Sequence, residues 1–138
     1  MSSADSTHHS IAVIGAGMAG LITARELTAQ GIDTVVLDKG RSVGGRLATR
    51  RIGNARLDHG AQFFTVRGES LAAQVDDWTA RNLVRVWCHG FDGSDGHPRM
   101  IGSQGMNSLA KDLAVGLDVH APSMAVATCF DDLGHWEV

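Results

Sequence analysis

The earliest regular signal along the chain is the apolar run Ile11-Ala12-Val13-Ile14, short and rich in β-branched residues, which predicts a strand buried on both faces. Gly15 ends it. From Met18 the spacing turns helical, with Met18, Leu21, Ile22 and Leu27 on one side and Gly31 as a C-terminal stop. Thr34-Val35-Val36-Leu37-Asp38 then reads as a second buried strand. Strand, glycine turn, helix and strand in this order predict a βαβ unit with parallel strands and a right-handed crossover. Lys39 to Leu57 is aperiodic. A helix is predicted around Leu71, Val75 and Trp78, capped by Ser70, and the alternation at Val84, Val86 and Cys88 predicts a strand. Gly90 to Gly105 reads as loop, and Met106, Leu109, Ala110 and Leu113 mark a third helix that Gly116 ends. Leu117 to His120 reads as a strand, and Met124 to Phe130 with His135 to Val138 as a hairpin around Asp131 to Gly134.

With 138 residues the chain has room for a single domain, and hydrophobic residues at 43% with charged residues at 20% place it among globular chains. The expected organisation is a polar leader over residues 1–10 and one α/β domain over 11–138. A formal charge of −3 provides no general basic field for nucleic acid. The apolar stretch Ile11 to Ile22 is shorter than the ~20 residues of a membrane span, and no signal peptide is recognisable. Cys88 and Cys129 have no CxxC spacing, and none of the seven histidines is paired at metal-ligand spacing. Buried thiols, a cytoplasmic location, no metal, no nucleic acid and no membrane are the corresponding expectations. Glycine departs from the average, at 17 residues, against roughly 7% in typical chains.

Those glycines cluster where chemistry is expected. Gly15-Ala16-Gly17-Met18-Ala19-Gly20 fits GxGxxG between a strand and a helix. Gly15 allows the tight turn, Gly17 lets a pyrophosphate approach the backbone, and Gly20 lets the helix pack near the strand. The first helical N–H groups and the macrodipole favour an anion there. Asp38, 18 residues after Gly20, is placed to accept hydrogen bonds from the ribose hydroxyls of an adenosine. Its charge also opposes a 2′-phosphate by up to ~4 kcal/mol per charge pair at about 4 Å. Lys39 and Arg41 soften that opposition. Six basic residues (Lys39, Arg41, Arg46, Arg50, Arg51, Arg56) precede the next acid, Asp58. Among them Gly44-Gly45-Arg46 adds bare backbone and a guanidinium suited to a pyrophosphate.

The segment Asp38 to Thr49, followed by Asp58-His59-Gly60-Ala61-Gln62-Phe63-Phe64-Thr65, resembles the double-glycine region of the flavin-containing amine oxidase superfamily, and within it the renalase-like FAD-dependent oxidoreductases. Gly105-Met106-Asn107 and Gly116-Leu117-Asp118-Val119 extend the likeness, which is strongest up to Thr65. The resemblance implies a partial Rossmann-like FAD-binding fold with a small C-terminal β-hairpin. It implies that Ala19 and Arg46 contact the FAD diphosphate and that Asp38 holds the ribose. Gln62 and Phe63 would lie by the flavin, and the main chain of Val126 by the adenine. Phe63 stands where tyrosine is frequent in that family, and Ser42 where an arginine is usual. Members are considerably longer, with a substrate domain and a return segment beyond what this chain contains.

The implied reaction is hydride transfer from an amine or dihydronicotinamide-like small molecule to flavin, with dioxygen as reoxidant. No catalytic residue is identified. The alternatives are a truncated dinucleotide-binding module without turnover and an NAD-dependent Rossmann dehydrogenase. Self-association or a partner chain is the expected means of completing the flavin pocket.

Overall fold

The computed structural model describes residues 7–90 and 96–138. In chain order its elements are β1 (Ile11–Ile14), α1 (Met18–Ala29), β2 (Thr34–Leu37), β3 (Thr49–Ile52), β4 (Ala55–Asp58), α2 (Glu69–Ala80), β5 (Val84–His89), β6 (Pro98–Gly102), α3 (Asn107–Leu113), β7 (Asp118–His120), β8 (Cys129–Phe130) and β9 (Trp136–Glu137). A 3₁₀ turn spans Gly45–Leu47. The chain divides into two compact units, Met1–Val43 with Leu113–Val138, and Gly44–Asp112.

The first unit is a Rossmann-like parallel sheet in the order β1-β2-β7 with α1 attached. Thr34, Val35 and Val36 are buried because β2 is flanked on both edges. β1 pairs only with β2 among the described residues, which corrects the expectation of a strand buried on both faces: Ile14 is 55% exposed. Leu21 and Ala24 carry the buried stripe of α1, whereas Ile22 faces outward. At the end of that helix Gly31, with φ +77°, donates to Thr28 O, and Ile32 donates to Leu27 O. This paired closure needs the left-handed residue that glycine supplies.

The C-terminal hairpin is shorter than expected, since Met124–Thr128 is irregular and only Cys129–Phe130 pairs with Trp136–Glu137. Its turn is held by Asp131, whose Oδ1 accepts the N–H groups of Leu133 at 3.0 Å and His135 at 2.7 Å. The His135 N–H first, and then the Leu133 N–H, hold the Asp131 carboxyl below the usual carboxylate range. Cys129 is exposed, contrary to the expectation of buried thiols, and its hydrogen bond to Glu137 pushes the thiol pKa up.

In the second unit Val75, Trp78, Val84, Met100, Met106, Leu109 and Ala110 are buried. The Trp78 indole N–H donates to Asp112 Oδ2 at 2.8 Å, and Arg81 pairs with both Asp77 and Asp112. Those hydrogen bonds, Asp112 first, raise the pKa of the Arg81 guanidinium. Three expectations are corrected here. Gly68, not Ser70, occupies the N-cap of α2, so Ser70 lies inside the first helical turn. The stretch read as aperiodic contains the β3–β4 hairpin around Gly53-Asn54, whose largely exposed strands have no apolar alternation to announce them. Part of the presumed 90–105 loop is β6, antiparallel to β5, with Phe64 joined to Met100 by hydrogen bonds of 3.0 and 2.8 Å. Residues 91–95 of that stretch and 1–6 of the polar leader lie outside the described residues.

Candidate functional site: two glycine turns

In the first unit, β1 and β2 bring the GxGxxG turn and Asp38 together. Gly15 has φ +103°, which a side chain would strain, and its N–H donates to Leu37 O at 2.7 Å. A Cβ on Gly20 would lie 1.9 Å from Gly15 O, so the helix can approach the turn this closely only with glycine at that position. Gly17 is different. It is extended at the N-cap of α1, and a Cβ there would meet nothing within 4 Å. The helical N–H groups that follow have no carbonyl one turn earlier, and the first turn of α1 contains no acidic residue. An anion fits that position electrostatically and sterically.

Asp38 follows directly on β2, where its N–H donates to His120 O at 3.0 Å and its carbonyl accepts the Ser123 N–H at 2.7 Å. Its carboxylate is tied into the turn: Oδ2 accepts the N–H of buried Ala16 at 2.6 Å, and Oδ1 accepts the N–H of Gly40 at 2.6 Å. Sequence reasoning missed this internal role. A carboxylate has about four lone-pair sites, so two bonds leave acceptor capacity for ribose hydroxyls. Met18 is half-buried, Ala19 and Lys39 are exposed, and Val126 lies in the irregular segment after β7 at 83% exposure.

The second unit holds the double-glycine turn. Gly44 and Gly45 both have positive φ, +122° and +50°, and Leu47 N–H returns to Gly44 O at 2.8 Å. Leu47 is buried and anchors the turn, while Arg46 is exposed and has no carboxylate partner among the described residues. The chain after β4 runs against this turn: Ala61 N–H donates to Arg46 O at 2.7 Å, and His59 N–H to Ala48 O at 3.3 Å. A Cβ on Gly60 would lie 2.0 Å from Arg46 O. The two halves of the resemblance motif therefore touch through backbone. Gln62 is exposed; Phe63 is half-buried, 6.1 Å from the Trp87 ring, with the Arg99 guanidinium 5.6 Å from its centroid.

A groove of about 530 Å³ in the first unit, lined by residues 7–12, Ile14 and Trp136 among others, contains none of the sequence-predicted contact residues. Among the described residues no His, Cys, Asp and Glu cluster could hold a metal ion, and no helix is long and apolar enough to cross a membrane.

Residues 13–78 match the family model of the NAD(P)-binding Rossmann-like domain. A Mycobacterium tuberculosis protein named as a flavin-containing monoamine oxidase is 45% identical over 53 residues, 38% of this chain and 12% of that protein. Putrescine oxidase of Kocuria rosea is 39% identical over 67 residues, 49% of this chain and 14% of that enzyme. The chain thus spans about an eighth of the length of these curated relatives. A solved triple mutant of putrescine oxidase, made to redesign cofactor binding, superposes with a TM-score of 0.50 at 26% identity, over 66% of this chain and 21% of that one. Residues 13–78 thus lie in a Rossmann-like α/β fold and are similar to the NAD(P)-binding Rossmann-like domain and to the matching parts of flavin-containing amine oxidases.

Proposed function

We propose that this chain is the dinucleotide-binding part of a renalase-like FAD-dependent oxidoreductase. The observation that carries the reading is the GxGxxG turn, clear of side chains at Gly17 and buttressed by the Asp38 carboxylate one residue past β2. In this reading Gly15, Ala16, Gly17, Met18, Ala19 and Gly20 present backbone to the FAD diphosphate, and Asp38 accepts from the ribose, with Lys39 beside it. The main chain of Val126 meets the adenine. In the second unit Gly44, Gly45 and Arg46 are assigned to the diphosphate, and Gln62 and Phe63 to the flavin ring. The double-glycine turn favours FAD over a nicotinamide dinucleotide.

When bound, FAD would supply hydride acceptance from an amine or dihydronicotinamide-like substrate, with dioxygen as the final oxidant. The chain's own residues bind and orient; none is assigned to proton transfer. Self-association or a partner chain is proposed to help hold the ring dry and within reaction distance. Titrating the purified chain with FAD tests the reading. The wild type should bind, and Asp38→Ala should weaken binding by the ~1.5–3 kcal/mol typical of a hydrogen bond to a charged group. Equal affinity of the two would place the ribose elsewhere.

A further inference from the structure

Asp58 belongs to the resemblance motif but has no role in the cofactor contacts assigned above. It ends β4 opposite Thr49, the first residue of β3. The Thr49 hydroxyl donates to Asp58 Oδ1. The same oxygen accepts the Met106 N–H at 3.0 Å, and Thr49 Oγ1 accepts the Asn107 N–H at 3.1 Å. The pair therefore closes the hairpin and satisfies two backbone donors at the start of α3, groups that a helix cannot satisfy for itself. This is a buckle between two chain segments far apart in sequence.

What the buckle grips is the double-glycine turn. A Cβ on Gly44 would lie 2.9 Å from Asn107 Nδ2 and 3.4 Å from Ala110 Cβ, so the turn rests on the helix start that Thr49 and Asp58 hold. Gly105, at φ +92°, stands where a Cβ would be 2.8 Å from the Thr49 side chain, so that contact too has no slack. On the other side, residues 59–61 leave Asp58 directly and hydrogen-bond to Arg46 O and Ala48 O. Asp58 thus sits at the junction of both supports of Arg46. Its Oδ1 acceptor, not its position near any ligand, is what the geometry uses.

We propose that Asp58, acting through Thr49, is a positioning residue that fixes the Gly44–Arg46 turn for the FAD diphosphate. The inference rests on the FAD reading above, and its test separates the two. Asp58→Ala, Asp58→Asn and Thr49→Val are compared by amide hydrogen exchange of the apo chain and by titration with FAD and with AMP. Asn retains an acceptor at Oδ1, so it should preserve the buckle; Thr49→Val removes the hydroxyl with little change of shape and serves if the alanine variant fails to fold.

Asp58→Ala and Thr49→Val should speed exchange at Leu47, Ala61, Met106 and Asn107. They should weaken FAD about tenfold, the loss of one charge-assisted hydrogen bond. AMP affinity, which draws on the first unit, should not change, and Asp58→Asn should stay near the wild type. Unchanged exchange at Leu47 and Ala61, or parallel losses of FAD and AMP, would overturn the proposal. An exchange response as expected in a wild-type chain that takes no FAD would overturn the cofactor reading and the diphosphate role, while upholding the buckle's hold on the turn.

Discussion

The two glycine turns solve the same local problem with different supports. Around Gly15 the constraints lie within a short stretch: a positive φ, a carbonyl 1.9 Å from where a Gly20 Cβ would stand, and an Asp38 carboxylate delivered by the adjacent parallel strand. Around Gly44 they come from far along the chain, from Asp58, Gly60 and the segment 105–107. The first turn is set by the βαβ unit itself. The second depends on two other segments being in place, and so is the more vulnerable to remote substitution.

The largest effect expected from this contrast is on stability. Gly20→Val forces a branched side chain against the Gly15 carbonyl, and should destabilise by at least the ~1–3 kcal/mol of an overpacked core site. Gly60→Val meets Arg46 O in the same way, yet on an exposed loop with more freedom to shift. Urea unfolding should rank Gly20→Val well below Gly60→Val. The opposite ranking would mean that the second turn, not the first, anchors its unit.

A smaller effect separates specific from diffuse electrostatics within the second unit. Arg46→Ala should weaken FAD binding by about 1.5–3 kcal/mol, whereas Arg50→Ala, on the exposed strand β3, should change it by less than the ~0.5 kcal/mol typical of surface sites. Calorimetric titration of both variants checks this, and comparable losses would indicate a general basic patch.

The smallest effect concerns the C-terminal hairpin. The folded Asp131 carboxyl is held below its ordinary value by the His135 and Leu133 N–H groups, so its stabilising contribution is present above the unfolded pKa of about 4 and is lost as pH falls through the lower folded value. The protection of the His135 amide, corrected for its intrinsic exchange rate, should therefore fall below about pH 4 in the wild type and lose that pH dependence in Asp131→Asn. A wild-type profile without an acid limb would remove Asp131 as the clasp of the turn.

The same contrast explains what could be read from the sequence. β1, α1 and β2 were legible because β-branched runs and a 3.6-residue period bracket the glycines. The exposure of Ile14 and of Ile22 departs from that reading, since burial depends on neighbours that a single strand or helix does not encode. The β3–β4 hairpin was obscured by strands that carry Arg50, Arg51 and Arg56 outward instead of alternating. Gly53-Asn54 was the one available cue, a two-residue turn with Gly53 at φ +57°. β6 hid behind a starting proline and a closing glycine. GxGxxG and Asp38 were visible as a site, but the Ala16 and Gly40 hydrogen bonds to that carboxylate were not, because they depend on strand register. The Thr49–Asp58 pair could be seen only once β3 and β4 were aligned.

Gly17 offers the most direct test of the central claim, that the first turn is a diphosphate site. The space around its absent side chain is open, so Gly17→Val should leave the fold intact and lower the thermal midpoint only by the modest loss of a good N-cap residue. FAD titration beside a thermal melt should find a folded variant that no longer binds FAD. A folded Gly17→Val chain that binds FAD as the wild type does would contradict that claim.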